Sequence, residues 1–370
     1  MTIKIAYDYQ TFSVNAYGGI SRYFHEISSR ISKGSEYDVE IICPFYVDEY
    51  FKTHPSSSTL VKGLKTKRIA KTNNIRHAIN QKLSNLIVSR SNPDIIHETY
   101  YAAKSIGNKN AKRVITVYDM IHEKFASSLD PDNSFANIKA EAIRRADHVI
   151  CISESTRKDL IELIGIDEAK VSTIYLACTP NDNLDQNIKQ ISQTEKPYLL
   201  YVGQRARYKN FDKLLEAYGS SRKLNQDFQL VCFGGGGFSS SEIERINNFQ
   251  LGGKVTQISG DDGVLANLYR EANAFIYPSL YEGFGIPLLE AMSFDCPVIC
   301  SKISSIPEVV GTAVEYFDPY DLDSIIHSME EVVYSEVKSN ALRSLGRDRI
   351  KLFSWDLCAD KTQLIYKSLL

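Results

Sequence analysis

Glu282-Gly-Phe-Gly-Ile-Pro-Leu-Leu-Glu290 decides how the rest of the chain is read. Two carboxylates bracket a Gly-x-Gly turn and a proline. Ala274-Phe-Ile-Tyr-Pro278, just upstream, reads as a short buried strand. Pro287-Leu-Leu-Glu-Ala-Met292 reads as a helix entered through proline, whose missing N–H costs nothing in the first turn. Glu282 then stands at a strand's carboxyl end, and Glu290 about a turn inside the next helix. In an open α/β sheet that edge is where ligands bind. Glycines let the backbone approach a ligand and offer N–H groups to an anion. Carboxylates accept from sugar or ribose hydroxyls. The arrangement suits a sugar joined to a diphosphate.

The wider wording, Pro278-Ser-Leu-Tyr-Glu-Gly-Phe-Gly-Ile-Pro-Leu-Leu-Glu-Ala-Met292, resembles the E-x7-E motif of the family-4 glycosyltransferases, retaining enzymes of the GT-B fold. The resemblance implies an α/β protein of two Rossmann-like, doubly wound domains facing across a cleft. It further implies a C-terminal helix that returns to the first domain. Glu290 would hold the ribose and Glu282 the transferred sugar. Gly283, Phe284 and Gly285 would line that sugar through their backbone.

Gly203-Gln-Arg-Ala-Arg-Tyr-Lys-Asn210 follows the first strand of the second half and resembles the family's Gly…Arg…Lys-Asn element. Breaking a sugar–phosphate bond builds negative charge on the leaving oxygen, which fixed cations stabilise. Arg205 and Lys209 would supply them, with Arg207 an alternative to Arg205. Tyr17-Gly-Gly-Ile-Ser-Arg-Tyr-Phe-His25 resembles the family's N-terminal glycine pair, in which Gly18 and Gly19 admit a phosphate oxygen at a helix start. In Val117-Tyr-Asp-Met-Ile-His-Glu123, Tyr118-Asp119 stands where many relatives have His-Asp beside the donor sugar. Asp119 is the expected sugar or acceptor contact, Tyr118 a donor-side departure, and His122 either a site or a loop residue. His97-Glu98 is a further acceptor-side candidate.

Asp321-Leu-Asp323 spells a metal motif of another glycosyltransferase fold, but Pro and Asp there mark a helix start. Gly234–Gly237 lacks the spacing of a dinucleotide loop. No metal and no cofactor is expected, the nucleoside-diphosphate sugar being a substrate. Gly260-Asp-Asp-Gly263 precedes a helix in the region that flanks the nucleobase in the family, where backbone groups often do the reading.

The chain has 370 residues, enough for two domains, with a formal net charge of −2. No apolar run approaches the roughly 20 residues of a membrane span, and the first residues lack the succession of a signal peptide. The seven cysteines lie mostly in or beside strand-like runs, as reduced core thiols of a cytoplasmic protein do. From Phe51 to Pro93 there is no acidic residue, against nine cations: Lys52, Lys62, Lys65, Lys67, Arg68, Lys71, Arg76, Lys82 and Arg90. That window is either a solvated face or a surface for anionic lipid or a phosphate-bearing acceptor. Within it, Ile75, Ile79, Leu83, Leu86 and Ile87 form a helical apolar stripe expected to face inward, with Arg76, Lys82 and Arg90 outside.

Alternating strands and helices divide the chain into 1–180, a polar linker over 181–196, and 197–353, with helix 354–370 packing back. The resemblance implies metal-independent, retaining transfer of a hexose from a nucleoside diphosphate to a hydroxyl. The acceptor would be a glycan or lipid-linked molecule of bacterial lipopolysaccharide, O-antigen or capsule synthesis. The enzyme would be cytoplasmic, either free or peripheral on the inner face of the cytoplasmic membrane, and nucleic acid is not an expected partner. A non-catalytic scaffold and a sugar-nucleotide epimerase are the alternatives.

Overall fold

The computed structural model describes residues 2–53, 55–69, 72–107, 110–178, 196–205 and 207–370. The chain divides into two units: Met1–Leu176 with Ser354–Leu370, and Ala177–Phe353. The expected linker 181–196 lies, apart from Lys196, outside the described residues.

The first unit holds seven strands: β1 (Ile3–Tyr7), β2 (Tyr37–Tyr46), β3 (Val61–Lys65), β4 (Ile95–Glu98), β5 (Lys112–Val117), β6 (His148–Cys151) and β7 (Val171–Thr173). They run parallel in the order β3-β2-β1-β4-β5-β6-β7. The second unit holds β8 (Tyr198–Val202), β9 (Gln229–Phe233), β10 (Val255–Ile258), β11 (Ala274–Tyr277), β12 (Val298–Ser301) and β13 (Glu315–Phe317). These are parallel in the order β10-β9-β8-β11-β12-β13. Both sheets reverse their winding beside the first strand, between β1 and β4 and between β8 and β11. Those switch points are where an open α/β sheet leaves a crevice.

Buried strands read as continuous apolar runs because both faces are covered. Leu199, Leu230, Ile276 and Ile299 pack with Phe211, Leu214, Ile325 and Met329 into the core of the second unit. Ser153 caps helix Glu154–Ile164 by accepting from Thr156 N, and Asp321 caps helix Leu322–Val333 by accepting from Asp323 and Ser324 N. Asp321 is thus engaged at a helix start, as its sequence context predicts. All seven cysteines are free thiols in buried positions.

Helix Trp355–Ser368 completes the first unit. Tyr366, fully buried, hydrogen-bonds through its hydroxyl to His97 Nδ1 at 2.6 Å and to the Tyr7 hydroxyl at 3.1 Å. His97 Nε2 meets Thr116 Oγ1 at 2.8 Å. His97 is therefore a core residue that ties β4 and β5 to the last helix. Glu98, 1 % exposed, is engaged by Arg145 at 2.8 Å. Neither is presented to an acceptor, which corrects the expectation for this pair.

Helix Asn73–Ser91 departs from expectation in part: Lys82 and Arg90 are exposed and Leu83 and Ile87 half-buried, but the helix is turned further toward its polar side. Ile75, Ile79 and Leu86 are exposed, whereas Arg76, Asn80, Ser84 and Val88 are buried. The physical reason is hydrogen bonding. Asn80 accepts from Phe45 N at 2.8 Å and donates to Phe45 O at 2.9 Å, satisfying an irregular stretch of β2. Arg76 donates to Ser13 O and Lys67 O. Apolar periodicity alone does not carry that information.

Candidate active site

In the second unit, the chain leaving β8 and the chain leaving β11 meet at the switch point. Leu280 N donates to Tyr208 O at 2.7 Å. Lys209 Nζ lies 2.7 Å from Glu282 Oε1, with side chains 17 % and 9 % exposed. The ammonium also lies 3.5 Å from the Tyr277 hydroxyl. Burial, and then the Glu282 charge, push the Tyr277 hydroxyl well above its ordinary pKa. It stays a neutral phenol that can accept from Lys209.

The backbone of Glu282 is fixed from behind. Its N–H donates to Ser304 Oγ at 2.9 Å, and its carbonyl accepts from Ser304 and Ser305 hydroxyls at 3.0 and 2.8 Å. Gly285 then turns with φ +99°, a conformation that favours glycine, and a Cβ there would sit 2.8 Å from Leu288 Cδ1. Helix Ile286–Ser293 starts immediately after, with proline in its first turn. Gly283 and Phe284 are buried, and the Phe284 ring packs edge-on against Phe353 at 5.8 Å. Glu290 is half-buried on the helix, near enough to Tyr269 for its charge to help burial raise that hydroxyl's pKa.

Arg205 does not join the Lys209–Glu282 pair. Its side chain is 4 % exposed, with Nε 2.6 Å from Glu242 Oε1. Its remaining N–H groups donate to the carbonyls of Gly234, Gly236 and Gly237 at 3.1, 2.9 and 2.9 Å. Gly234, Gly235 and Gly236 have φ of +84°, +70° and +72°. Successive left-handed residues turn their carbonyls toward one point, and a planar fork with five donors can satisfy them. Burial raises the Glu242 carboxyl, but hydrogen bonds from Arg205 and Ser239 outweigh it, so the group lies below the ordinary carboxylate range. The expected twin cations are thus one cation in the pair and one bracing a loop. Arg207 is exposed.

In the first unit, Gly18 precedes helix Gly19–Ile31 in extended conformation. A Cβ on Gly18 would meet only Ser21 Oγ, at 3.9 Å, so nothing in the described fold demands glycine there. Asp119 follows β5, and its carboxylate accepts from Ile121 N at 3.0 Å. Its carbonyl is held at 2.6 Å by Lys139 Nζ, a fully buried ammonium that also meets Glu123. Tyr118 is buried, and its hydroxyl donates to Thr99 O at 2.9 Å. The hydroxyl braces two strand ends, whatever the ring faces. The His122 ring packs at a tilt of 49° against Phe135, centroids 4.4 Å apart, and Phe135 also meets Tyr100 and Tyr101.

Two parts of this edge escaped sequence reasoning. Asp8 follows β1, is 1 % exposed, and accepts from Thr99 N and Gln10 Nε2. Lys139 gave no signal, because a single lysine on a helix usually lies in solvent. A separate cavity of about 340 Å³ is lined by His77, Gln81, Lys82, Ala102 and Lys104. Among the described residues no group of three His, Cys, Asp or Glu could hold a metal ion.

Two family models account for most of the chain. Glycosyltransferase Family 4 matches residues 17–180, and Glycosyl transferases group 1 matches residues 183–349. The chain is 30 % identical to the O-antigen chain mannosyltransferase B of Escherichia coli over 62 % of each chain. It is 27 % identical to the serotype-specific mannosyltransferase WbdA of Escherichia coli, over 74 % of this chain and 37 % of that one. These matches span three-fifths and just over a third of those relatives' lengths. Sucrose-phosphate synthase from Thermosynechococcus elongatus superposes with a TM-score of 0.76 at 18 % identity, covering 99 % of both chains. Two parallel sheets wound in the GT-B manner, a paired Lys209 and Glu282 at the second switch point, and both family models agree: the chain belongs to the family-4 glycosyltransferases.

Proposed function

We propose that the protein transfers a hexose from a nucleoside-diphosphate sugar to a hydroxyl of a glycan or lipid-linked acceptor in bacterial surface-polysaccharide synthesis. The observation that carries this reading is the Lys209–Glu282 pair behind a glycine turn at a strand's carboxyl end. Lys209 would meet the charge that builds on the leaving diphosphate. Glu282 would accept from hydroxyls of the transferred sugar and Glu290 from the ribose. Gly283, Phe284 and Gly285 would face that sugar through their backbone, and Arg205 would hold the glycine loop in shape. Gly18, Gly19, Tyr118 and Asp119 would contribute from the first unit. The names of the curated relatives make mannose the first sugar to try.

The transfer would retain configuration. The C1–O bond to the diphosphate breaks, the acceptor oxygen bonds to C1 on the same face, and its proton passes to the departing phosphate oxygen. The reaction would need no divalent metal, since Lys209 and backbone N–H groups supply the positive field. The test is turnover of a panel of UDP-, GDP-, ADP- and dTDP-sugars with and without EDTA, with the product's anomeric configuration read by NMR. An inverted product, or activity lost in EDTA and restored by magnesium, overturns those parts. Donor conversion without acceptor would instead reveal an epimerase.

The acid-free window would place the first unit against an anionic leaflet on the cytoplasmic side. Lys62, Lys67 and Arg68 are exposed there, while Lys65 is paired with Glu49 and Lys71 lies outside the described residues. No helix among the described residues is long and apolar enough to cross a membrane. Each cation near such a surface contributes about 1 kcal/mol.

A further inference from the structure

A continuous group of aromatic rings gathers at the carboxyl edge of the first sheet. Tyr100 and Tyr101 follow β4, Tyr118 follows β5, and Phe135 stands in the first turn of helix Ser134–Arg145. Tyr101 and Tyr118 are buried and form a floor. Their hydroxyls are engaged by backbone: Tyr101 accepts from Tyr118 N at 3.2 Å, and Tyr118 donates to Thr99 O. Tyr100, Phe135 and His122 lie over it half-buried. The Tyr100 ring centroid is 4.7 Å from Tyr101, 6.3 Å from Tyr118 and 6.0 Å from Phe135. Phe135 is fixed from below. Asp130, 4 % exposed, accepts from Phe135 N at 3.2 Å and from Ala136 N at 2.7 Å. Rings held this way lose little entropy when a ligand lies on them.

The charges beside the rings set the sign of the ligand. Asp119 is half-buried, and one of its carboxylate oxygens accepts from Ile121 N. A carboxylate takes several donors, so the other oxygen can accept from a hydroxyl. Burial, and then the Asp119 charge, push the Tyr100 hydroxyl up to about 12, so it stays a neutral phenol beside that carboxylate. The neighbouring cations are turned elsewhere. Lys139 is fully buried on the Asp119 carbonyl and Glu123, and Lys124 Nζ lies 2.6 Å from Asp159. His122 Nδ1 is covered and has no hydrogen-bond partner among the described residues. A half-turn of the ring would bring that nitrogen to a ligand hydroxyl. Aromatic faces carry negative charge and attract the polarised C–H groups of a pyranose. Hydroxyls suit Asp119, whereas a phosphate would be repelled by it.

We infer that Tyr100, Phe135 and His122 form a platform for the acceptor's terminal sugar, an uncharged pyranose that lays one C–H face on the rings while Asp119 accepts from its hydroxyls. This rests on the transferase reading above and narrows its acceptor to a neutral glycan end.

The experiment is saturation-transfer NMR on the full chain with the methyl glycosides of mannose, glucose, galactose and N-acetylglucosamine, and with phosphate esters of the same sugars. At least one methyl glycoside binds, with transfer strongest to the C–H protons of one ring face. Its phosphate ester binds more weakly, and Asp119→Asn narrows that gap. Tyr100→Leu/Phe135→Leu keeps apolar bulk, removes the ring faces and weakens the glycoside about 10-fold. Thermal unfolding checks that this variant folds. If it does not, Tyr100→Leu alone carries the test at about 3-fold. Tyr100→Phe keeps the ring face and stays within about 3-fold of wild type. If the folded leucine variant binds glycosides as wild type does, the platform is wrong and the transferase reading stands. If wild type binds them through these rings and turns over no donor, the transferase reading is wrong and the sugar platform stands. Binding lost with Glu282→Gln and kept in the leucine variant belongs to the donor sugar's site and overturns the platform. Tighter binding of the phosphate esters overturns the neutral acceptor. No glycoside binding to wild type, with or without a nucleoside diphosphate present, overturns the inference as a whole.

Discussion

The two switch points have the same topology and opposite chemistry. Beside β8 and β11 the loops bring one ammonium to one carboxylate, with a glycine turn next to them. Beside β1 and β4 the charged groups are buried in bonds to their own unit: Asp8 to Thr99 and Gln10, Lys139 to the Asp119 carbonyl and Glu123. What the first edge presents, around half-buried Tyr100, His122 and Phe135, is aromatic. Winding order locates a crevice, and the residues after each strand decide whether it stabilises a charge or fits a shape.

Removing the charged pair should break this contrast most severely. Glu282→Ala and Lys209→Ala are each expected to lower turnover at least about 100-fold, or about 2.7 kcal/mol of transition-state stabilisation. Each also strands a mostly buried partner, at a cost of roughly 3–5 kcal/mol of stability. Polarity and position at a strand end would suggest that the fold is indifferent here, and the burial of the pair says otherwise. Urea unfolding should show the double variant less destabilised than the sum of the single ones. Glu282→Gln, which keeps the shape, separates rate from stability. Near-wild-type turnover in a folded single variant removes that residue from the reaction.

The first edge should reveal its buried groups through acid. Burial pushes the Asp8 carboxyl up to about 6 and holds His97 down to about 3. Their unfolded values are about 3.9 and about 6.5. Between about pH 4 and pH 6 the folded Asp8 keeps a proton that the unfolded chain has lost, and the unfolded His97 holds one that the folded ring has not. The two slopes oppose each other. Asp8→Asn leaves only the His97 term, so stability relative to wild type falls by about 1.4 kcal/mol per pH unit on acidification. His97→Gln should do the reverse. Chemical denaturation at pH 4, 5 and 6 reads both: an Asp8→Asn curve parallel to wild type would show that Asp8 is ionised in the fold, and a His97→Gln curve parallel to wild type would show that folded His97 takes up its proton as the unfolded chain does.

Arg205→Lys sharpens the second edge. A lysine cannot span Glu242 and three carbonyls, so donor KM should rise about 10-fold, worth about 1.4 kcal/mol, with kcat within about 3-fold. A fall confined to kcat would return Arg205 to the diphosphate. Smallest is Tyr118→Phe, which loses the bond to Thr99 O and about 1 kcal/mol of stability. Turnover should change less than about 3-fold, and a larger fall would mean that the hydroxyl reaches substrate.

Legibility in the sequence followed burial. The expected strand over 274–278 is β11, an inner one, and the inner strands carry the continuous apolar runs. The strands β3, β7, β10 and β13 are the edges of the two sheets and carry weaker ones. An edge strand is covered on fewer sides and needs no continuous apolar run, as exposed Lys62 and Lys65 in β3 show. At the site, the glycine turn and the carboxylate spacing gave away the location of Glu282 and Glu290. The partner of Arg205 was not legible, because Glu242 lies 37 residues away on another helix. The rotation of helix Asn73–Ser91 was misread because Asn80 and Arg76 count as surface residues until the backbone they bind is known.

The last helix has a consequence for synthesis. Trp355, Cys358 and Tyr366 are core residues of the unit that contains β1. A nascent chain therefore reaches the end of its first sheet with a gap where this helix belongs. The whole second unit, residues 177–353, must be made before the gap can close. At about 5–20 residues per second that is a wait of roughly 10–35 s. During it Tyr7 and His97 face water or a chaperone instead of Tyr366. A stop codon a few turns early would thus leave the carboxyl-terminal unit whole and harm the amino-terminal one.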